Sequence, residues 1–186
     1  VTAHGNSINT TASITEATPS PRVPLQLLMH ADFSGSFLSM VYFPLQERMS
    51  SFGFVVALPL SCAWTPHQCE GGNAYFLEAL KLLTFLPGAR WWQELIDDTI
   101  PIAVAGHSTG GGAALMLAAL RDSPNYLKGS TLLDNITNDD RATLARLGAV
   151  ISYHATDMLM VDKWNPDKTH FTVSETAVMI ITGTKD

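Results

Sequence analysis

The chain has 186 residues, of which 46 % are hydrophobic and 15 % charged, and a formal net charge of -6. That length suits one domain with a real core. The acidic balance, with no Lys/Arg cluster, argues against nucleic acid and anionic membrane surfaces as partners. No apolar run approaches the roughly 18 residues of a membrane span.

Residues 1–22 are rich in Ser, Thr, Ala and Pro and read as an irregular arm or short edge strands; residues 23–186 read as the folded domain. The chain begins with Val1 rather than Met, which we read as a processed product, an excised domain or a fragment. "VPLQLLMH", Val23 to His30, is an apolar run bounded by Pro24 and a polar turn, and predicts a buried strand. "FLSMVYFPLQERMSS" predicts a helix that Pro44 should kink or shorten. "GFVVALPL" predicts a second strand. Its continuous apolar character is that of a parallel sheet covered on both faces.

A polar loop, Ser61 to Gly72, carries both cysteines, Cys62 and Cys69. A disulfide between them and two free thiols are both open readings; a disulfide would imply an oxidising compartment. The sequons at Asn9 and Asn135 lean the same way, toward secretion. "NAYFLEALKLLTFL" has apolar residues near helical period with Asn73 as N-cap, and "ARWWQELIDDT" predicts a further helix carrying Trp91 and Trp92 on one face. "IPIAVAG" is a third strand and "STGGGAALMLAALRD" the helix after it. Ser123 to Arg146 is polar, with a helix near its end. "GAVISY" and "TAVMIIT" are two more strands. Strands alternating with helices give a doubly wound, mostly parallel α/β sheet with helices on both faces.

The chemistry centres on Gly106-His107-Ser108-Thr109-Gly110. It fits G-x-S-x-G between a strand and a helix, the context that gives this pattern meaning. A serine on so sharp a turn takes a strained backbone conformation. The residues two before and two after must lack side chains, which Gly106 and Gly110 do. Gly111 and Gly112 allow close packing of the helix on the sheet. A phosphate-binding turn is the competing reading. It lacks a P-loop Lys, and the glycine spacing does not give G-x-G-x-x-G. A purely structural turn is the third.

An unassisted serine is a poor nucleophile and needs a general base, usually His, oriented by a carboxylate. The carboxylate should follow a later strand. Asp186, after "VMIITGTK", is the first candidate and Asp157, after "GAVISY", the second. Met158, Met160 and Met179 read as packing. There is no zinc spacing of Cys, His and Asp, and no calcium loop.

Taken together, "VPLQLLMHADFSGS", "SSFGFVVALPL", "IPIAVAGHSTGGGAALMLA" and "TAVMIITGTKD" resemble the α/β-hydrolase superfamily. The likeness is to its dienelactone-hydrolase-like branch of cutinase-like polyester hydrolases, chlorophyllases and platelet-activating-factor acetylhydrolases. The resemblance implies carboxylic-ester hydrolysis through an acyl-enzyme on Ser108, with no metal or organic cofactor. It implies a small-molecule or polymeric ester substrate and a monomer. The oxyanion would be held by the backbone amide of Thr109 and by that of Asp32 or Phe33. Where the family shows His-Gly before that second donor, this chain has His30-Ala31. Trp64 and Trp164, in loops after strands, are candidates to stack against the acyl group or to pack their loops.

In the family the base lies beyond the acid, on a loop after the last strand. All six histidines here, at 4, 30, 67, 107, 154 and 170, precede Asp186. The expectation is a fold incomplete at its C-terminus, with the base, a last strand and a helix on a missing tail. The long stretch from Ser108 to Asp186 implies insertions near 122–146 and 158–173. A non-catalytic relative of the fold, and an amide or thioester hydrolase using the same serine, are the alternatives.

Overall fold

A computed structural model of the chain describes residues 22–31, 42–59, 73–124, 133–155 and 173–183. Five strands form a single all-parallel sheet: β1 (Leu25–Met29), β2 (Val55–Ala57), β3 (Ile102–His107), β4 (Leu147–Tyr153) and β5 (Ala177–Ile181). Their order across the sheet is β2-β1-β3-β4-β5. The chain therefore runs outward from β1 to one edge, returns, and then winds from β3 toward the other. Such a reversal leaves a crevice at the carboxyl ends of β1 and β3, where α/β sheets place their sites.

Five helices are described: α1 (Phe43–Ser51), α2 (Asn73–Phe85), α3 (Arg90–Leu95), α4 (Thr109–Asp122) and α5 (Asn138–Ala145). The predicted strands and helices are all present, with some trimming. "GFVVALPL" contributes only three paired residues, and Asn73 is the first residue of α2 rather than its cap. Pro44 does not kink a helix. It stands in the first turn of α1, where its fixed φ and missing N–H cost nothing, so it opens the helix.

The core is built where the sheet's middle strands meet α2 and α4. Leu27, Met29, Val104 and Val150 from the strands pack with Phe76, Leu80, Leu117 and Trp92. Trp92 is fully buried and its indole N–H donates to Asp98 Oδ1 at 2.8 Å. Its neighbour Trp91 is 39 % exposed. Helix α4 is buried along nearly its whole length because its inward positions are Gly, Ala, Leu and Met. At its far end Asp122 accepts the amides of Ser174, Glu175 and Thr176 at 2.9–3.0 Å, which fixes the approach to β5.

One expectation is corrected at β5. In the sequence Met179 reads as packing. All five of its residues are exposed, and Met179 and Ile180 are 57 % and 59 % open to solvent. The physical reason is position: among the described residues β5 is the outermost strand, paired to β4 on one side. Met158 and Met160 lie outside the described residues. Among those described, no helix is long and apolar enough to cross a membrane.

Candidate active site

The G-x-S-x-G stretch is the junction between β3 and α4, at the sheet's carboxyl edge. Ser108 has φ 55° and ψ -120°, a conformation that residues with side chains rarely adopt. Two hydrogen bonds hold it there. Its N–H donates to Tyr153 O at 2.9 Å, which extends the β3–β4 pairing by one residue. Its carbonyl accepts from Gly112 at 3.1 Å, which starts the helix. The residue is half-buried, not in the interior. Thr109, next in the chain, is the first residue of α4, so the helix's positive end faces the serine.

The glycines are spatial necessities. A Cβ on Gly106 would lie 2.1 Å from Gly110 O, and one on Gly110 would lie 2.4 Å from Met29 O and 2.5 Å from His30 O. A Cβ on Gly111 would come within 2.9 Å of Ser152 Oγ and 3.2 Å of Tyr153 O. The first turn of α4 is thus pressed directly onto the backbone ends of β1, β3 and β4.

Strain at Ser108 gives a direct test. Ser108→Gly is expected to stabilise the protein by about 1 kcal/mol by relieving the forced φ, less the entropy that glycine adds to the unfolded chain. Ser108→Ala keeps the strain and should gain nothing. Urea unfolding of the two variants checks this; equal midpoints would mean that the turn stores no strain.

Three imidazoles surround the junction. His107, inside the motif, has its Nδ1 2.8 Å from the hydroxyl of Tyr42. His154 follows β4 with φ 43°, and its ring meets that of His107 edge-on at 6.4 Å between centroids. The Gly183 N–H donates to His154 Nδ1 at 3.2 Å, and the His154 N–H donates to Ile181 O at 2.8 Å. His30, at the end of β1, is buried; its Nδ1 donates to Ala31 O at 2.6 Å and its ring lies 5.1 Å from that of Tyr75.

These bonds fix the tautomers. A general base acting on serine keeps its proton on Nδ1 and offers Nε2 as acceptor. His154 is set the other way: its Nδ1 accepts, so the neutral ring carries its proton on Nε2. His30 must hold its proton on Nδ1, because a carbonyl oxygen can only accept.

The remaining residues singled out in the sequence lie outside the described residues: Asp32, Phe33, Trp64, Asp157, Trp164 and Asp186, as do Cys62, Cys69 and Asn9. Asn135 ends a short 3-10 turn and is exposed. The structure brings Ser108, His107, His154, Gly183 and the end of β1 together. Tyr42 and Tyr75 were not anticipated, and no local pattern in the sequence marks them. Among the described residues, no cluster of three or more His, Cys, Asp or Glu could hold a metal ion.

No protein-family model and no curated protein sequence matches the chain. Solved structures do. The native form of Thermogutta terrifontis esterase Est2 superposes with a TM-score of 0.55 at 11 % identity, over 92 % of this chain and 74 % of that one. The same esterase phosphorylated by paraoxon gives 0.53 at 10 % identity, over 91 % and 74 %. Its propionate-bound form gives 0.50 at 16 % identity. This is the α/β-hydrolase fold. In the propionate-bound superposition the chain spans 47 % of the length of the esterase.

Proposed function

We propose that the chain carries the nucleophile of a serine hydrolase that cleaves carboxylic esters. The observation that supports it best is the forced backbone of Ser108 at the β3–α4 junction, half-exposed at the crevice between β1 and β3. Holding a side chain in that conformation costs about 1–3 kcal/mol, a cost that persists mainly where a side chain is needed there.

In this reading Ser108 Oγ attacks the ester carbonyl carbon as its proton passes to a general base. The tetrahedral oxyanion is held by the Thr109 amide and by that of Asp32 or Phe33. The alcohol leaves with the base's proton, and water then hydrolyses the acyl-enzyme by the same steps. The acid is Asp186, with Asp157 as the second candidate. The base is a histidine other than His154, whose Nδ1 is already an acceptor. A neighbour of this fold is an esterase phosphorylated by paraoxon, which suggests an organophosphorus probe. The cutinase-like, chlorophyllase-like and acetylhydrolase substrates all fit this chemistry.

A fluorophosphonate probe tests the proposal. Covalent labelling at Ser108, abolished in Ser108→Ala, is expected, together with turnover of p-nitrophenyl acetate and butyrate. A folded chain whose Ser108 stays unlabelled would leave the second reading, a non-catalytic protein of this fold. What favours that one is that the described imidazoles of His30, His107 and His154 are hydrogen-bonded to groups other than Ser108.

A further inference from the structure

The Ser108 amide is held by one peptide unit at the end of β4. The Tyr153–His154 peptide accepts the Ser108 N–H on its carbonyl at 2.9 Å and donates its own N–H to Ile181 O at 2.8 Å. A peptide unit is planar and rigid. One plane therefore ties the end of β3, where the candidate nucleophile stands, to the last residue of β5.

Directly after that plane the chain leaves the sheet. His154 has φ 43°, and Ser108, with φ 55°, is the other non-glycine residue at positive φ among those described. The left-handed region suits few side chains, so residue 154 needs a restraint from its surroundings to stay there. Its ring supplies one. Nδ1 accepts the Gly183 N–H at 3.2 Å, and a Cβ on Gly183 would stand 2.7 Å from His154 Cε1. The imidazole is thus pressed against backbone two residues beyond Ile181. It also meets the ring of His107, the residue before Ser108, edge-on at 6.4 Å between centroids.

The dihedral φ of His154 is the rotation between the shared peptide plane and the chain beyond it. If the ring lets go of Gly183, that dihedral relaxes toward the ordinary negative region and the plane tilts. The Tyr153 carbonyl then swings off the Ser108 N–H, and the forced turn at Ser108 loses one of its two backbone restraints. A displacement of about 1 Å at a reacting group can cost on the order of 100-fold in rate.

We propose that His154 is a positioning residue, its ring pinning Gly183 so that the Tyr153–His154 peptide holds the Ser108 amide and the nucleophile's turn in place. The inference rests on the ester-hydrolase reading above, and it gives a role to a histidine which that reading excludes as the base.

The test compares two substitutions. His154→Ala removes the acceptor. His154→Asn puts Oδ1 where Nδ1 stands and tolerates a left-handed backbone. In His154→Ala we expect the fluorophosphonate labelling rate, and kcat for p-nitrophenyl butyrate, to fall about 10- to 100-fold with KM within about 2-fold. His154→Asn should recover to within about 3-fold of the parent rate, since the restraint it keeps is the one that matters. Gly183→Ala displaces the ring from the other side, so His154→Ala combined with it should be no slower than the worse single variant. A role in stability alone would lower Tm and leave kcat of the folded fraction unchanged. His154→Ala labelled at the parent rate, no recovery in a folded His154→Asn, or losses that multiply in the double variant would each overturn the proposal. Amide hydrogen exchange reads the same restraint without turnover. The Ser108 N–H should exchange at least about 10-fold faster in His154→Ala than in the parent, while amides in the middle of β4 keep their rates. If the parent is not labelled at Ser108, the ester-hydrolase reading fails, and the exchange measurement still decides whether His154 holds the turn: equal Ser108 rates in the two proteins would show that it does not.

Discussion

Asp140→Ala is expected to cost about 3 kcal/mol of stability, with little effect on the slope of a urea transition. Asp140 lies in the first turn of α5 and is completely buried. Its carboxylate accepts from the ammonium of Lys81 on α2, from the Thr137 amide at 2.8 Å and from the Thr137 hydroxyl at 2.7 Å, with the Thr84 hydroxyl 2.9 Å away. The Asp140 amide in turn donates to Thr137 Oγ1 at 3.2 Å, completing a reciprocal cap on α5. Losing the cap costs about 1 kcal/mol. Losing the charge-assisted bonds that the buried carboxylate accepts from Lys81, the Thr137 hydroxyl and the half-buried Thr84 hydroxyl costs about 1.5–3 kcal/mol more. Lys81 is 45 % exposed and can turn to water, which keeps the loss below that of a fully buried ion pair.

The same site sets an acid limit. Burial pushes the Asp140 carboxyl up, but Lys81, then Thr137 and Thr84, outweigh it and bring the value from 3.8 down to about 2. A carboxylate lowered on folding contributes stability that is complete above the unfolded value and is lost as pH falls through the folded one. The gap between the parent protein and Asp140→Asn should therefore be widest above pH 4 and should close between about pH 4 and pH 2. A gap that stays constant across that window would show that the carboxylate's charge contributes nothing. The consequence reaches the site, because Lys81 and Asp140 tie α2 to α5, and both helices pack on α4.

How far these features could be read in advance depends on how local their causes are. The strands were legible because parallel, two-sided burial needs unbroken apolar runs. "IAVAGH" and "LGAVISY" became β3 and β4 almost residue for residue. The sharp turn at Ser108 was legible for the same reason: the clash that requires Gly106 and Gly110 arises within a few residues of chain. Burial of β5 was not legible. Whether an apolar strand is central or outermost depends on sheet order, and "AVMII" reads the same in both places. Asp140 stands in a stretch that reads simply as polar, and the long-range partners that make it an anchor, Lys81 and Thr84, are 59 and 56 positions away. Tyr42 and His107 are 65 residues apart, and neither a phenol before "FP" nor an imidazole in the motif announces the other. The parts of the candidate site that depend on tertiary pairing were thus the ones that sequence could not supply.

The largest single effect should come from Gly106→Ala. We expect it to destabilise the protein by about 3 kcal/mol or more and to abolish labelling at Ser108. The added methyl would stand 2.1 Å from Gly110 O, 2.3 Å from Gly110 C and 2.7 Å from Gly111 N. All three are backbone atoms, so no rotamer change makes room. The helix would have to withdraw from β3 by more than 1 Å, taking Thr109 and the carbonyl of Ser108 with it. Withdrawal toward β1 is blocked as well, because Gly110 already touches the Met29 and His30 carbonyls. Gly88→Ala separates this clash from the general effect of replacing a glycine. Nothing lies within 4 Å of the added Cβ there, so that variant should be neutral or more stable by up to about 1 kcal/mol. A Gly106→Ala protein as stable as Gly88→Ala would mean that β3 and α4 are not pressed together at the junction. The strained serine, and the reading built on it, would then lose its structural basis.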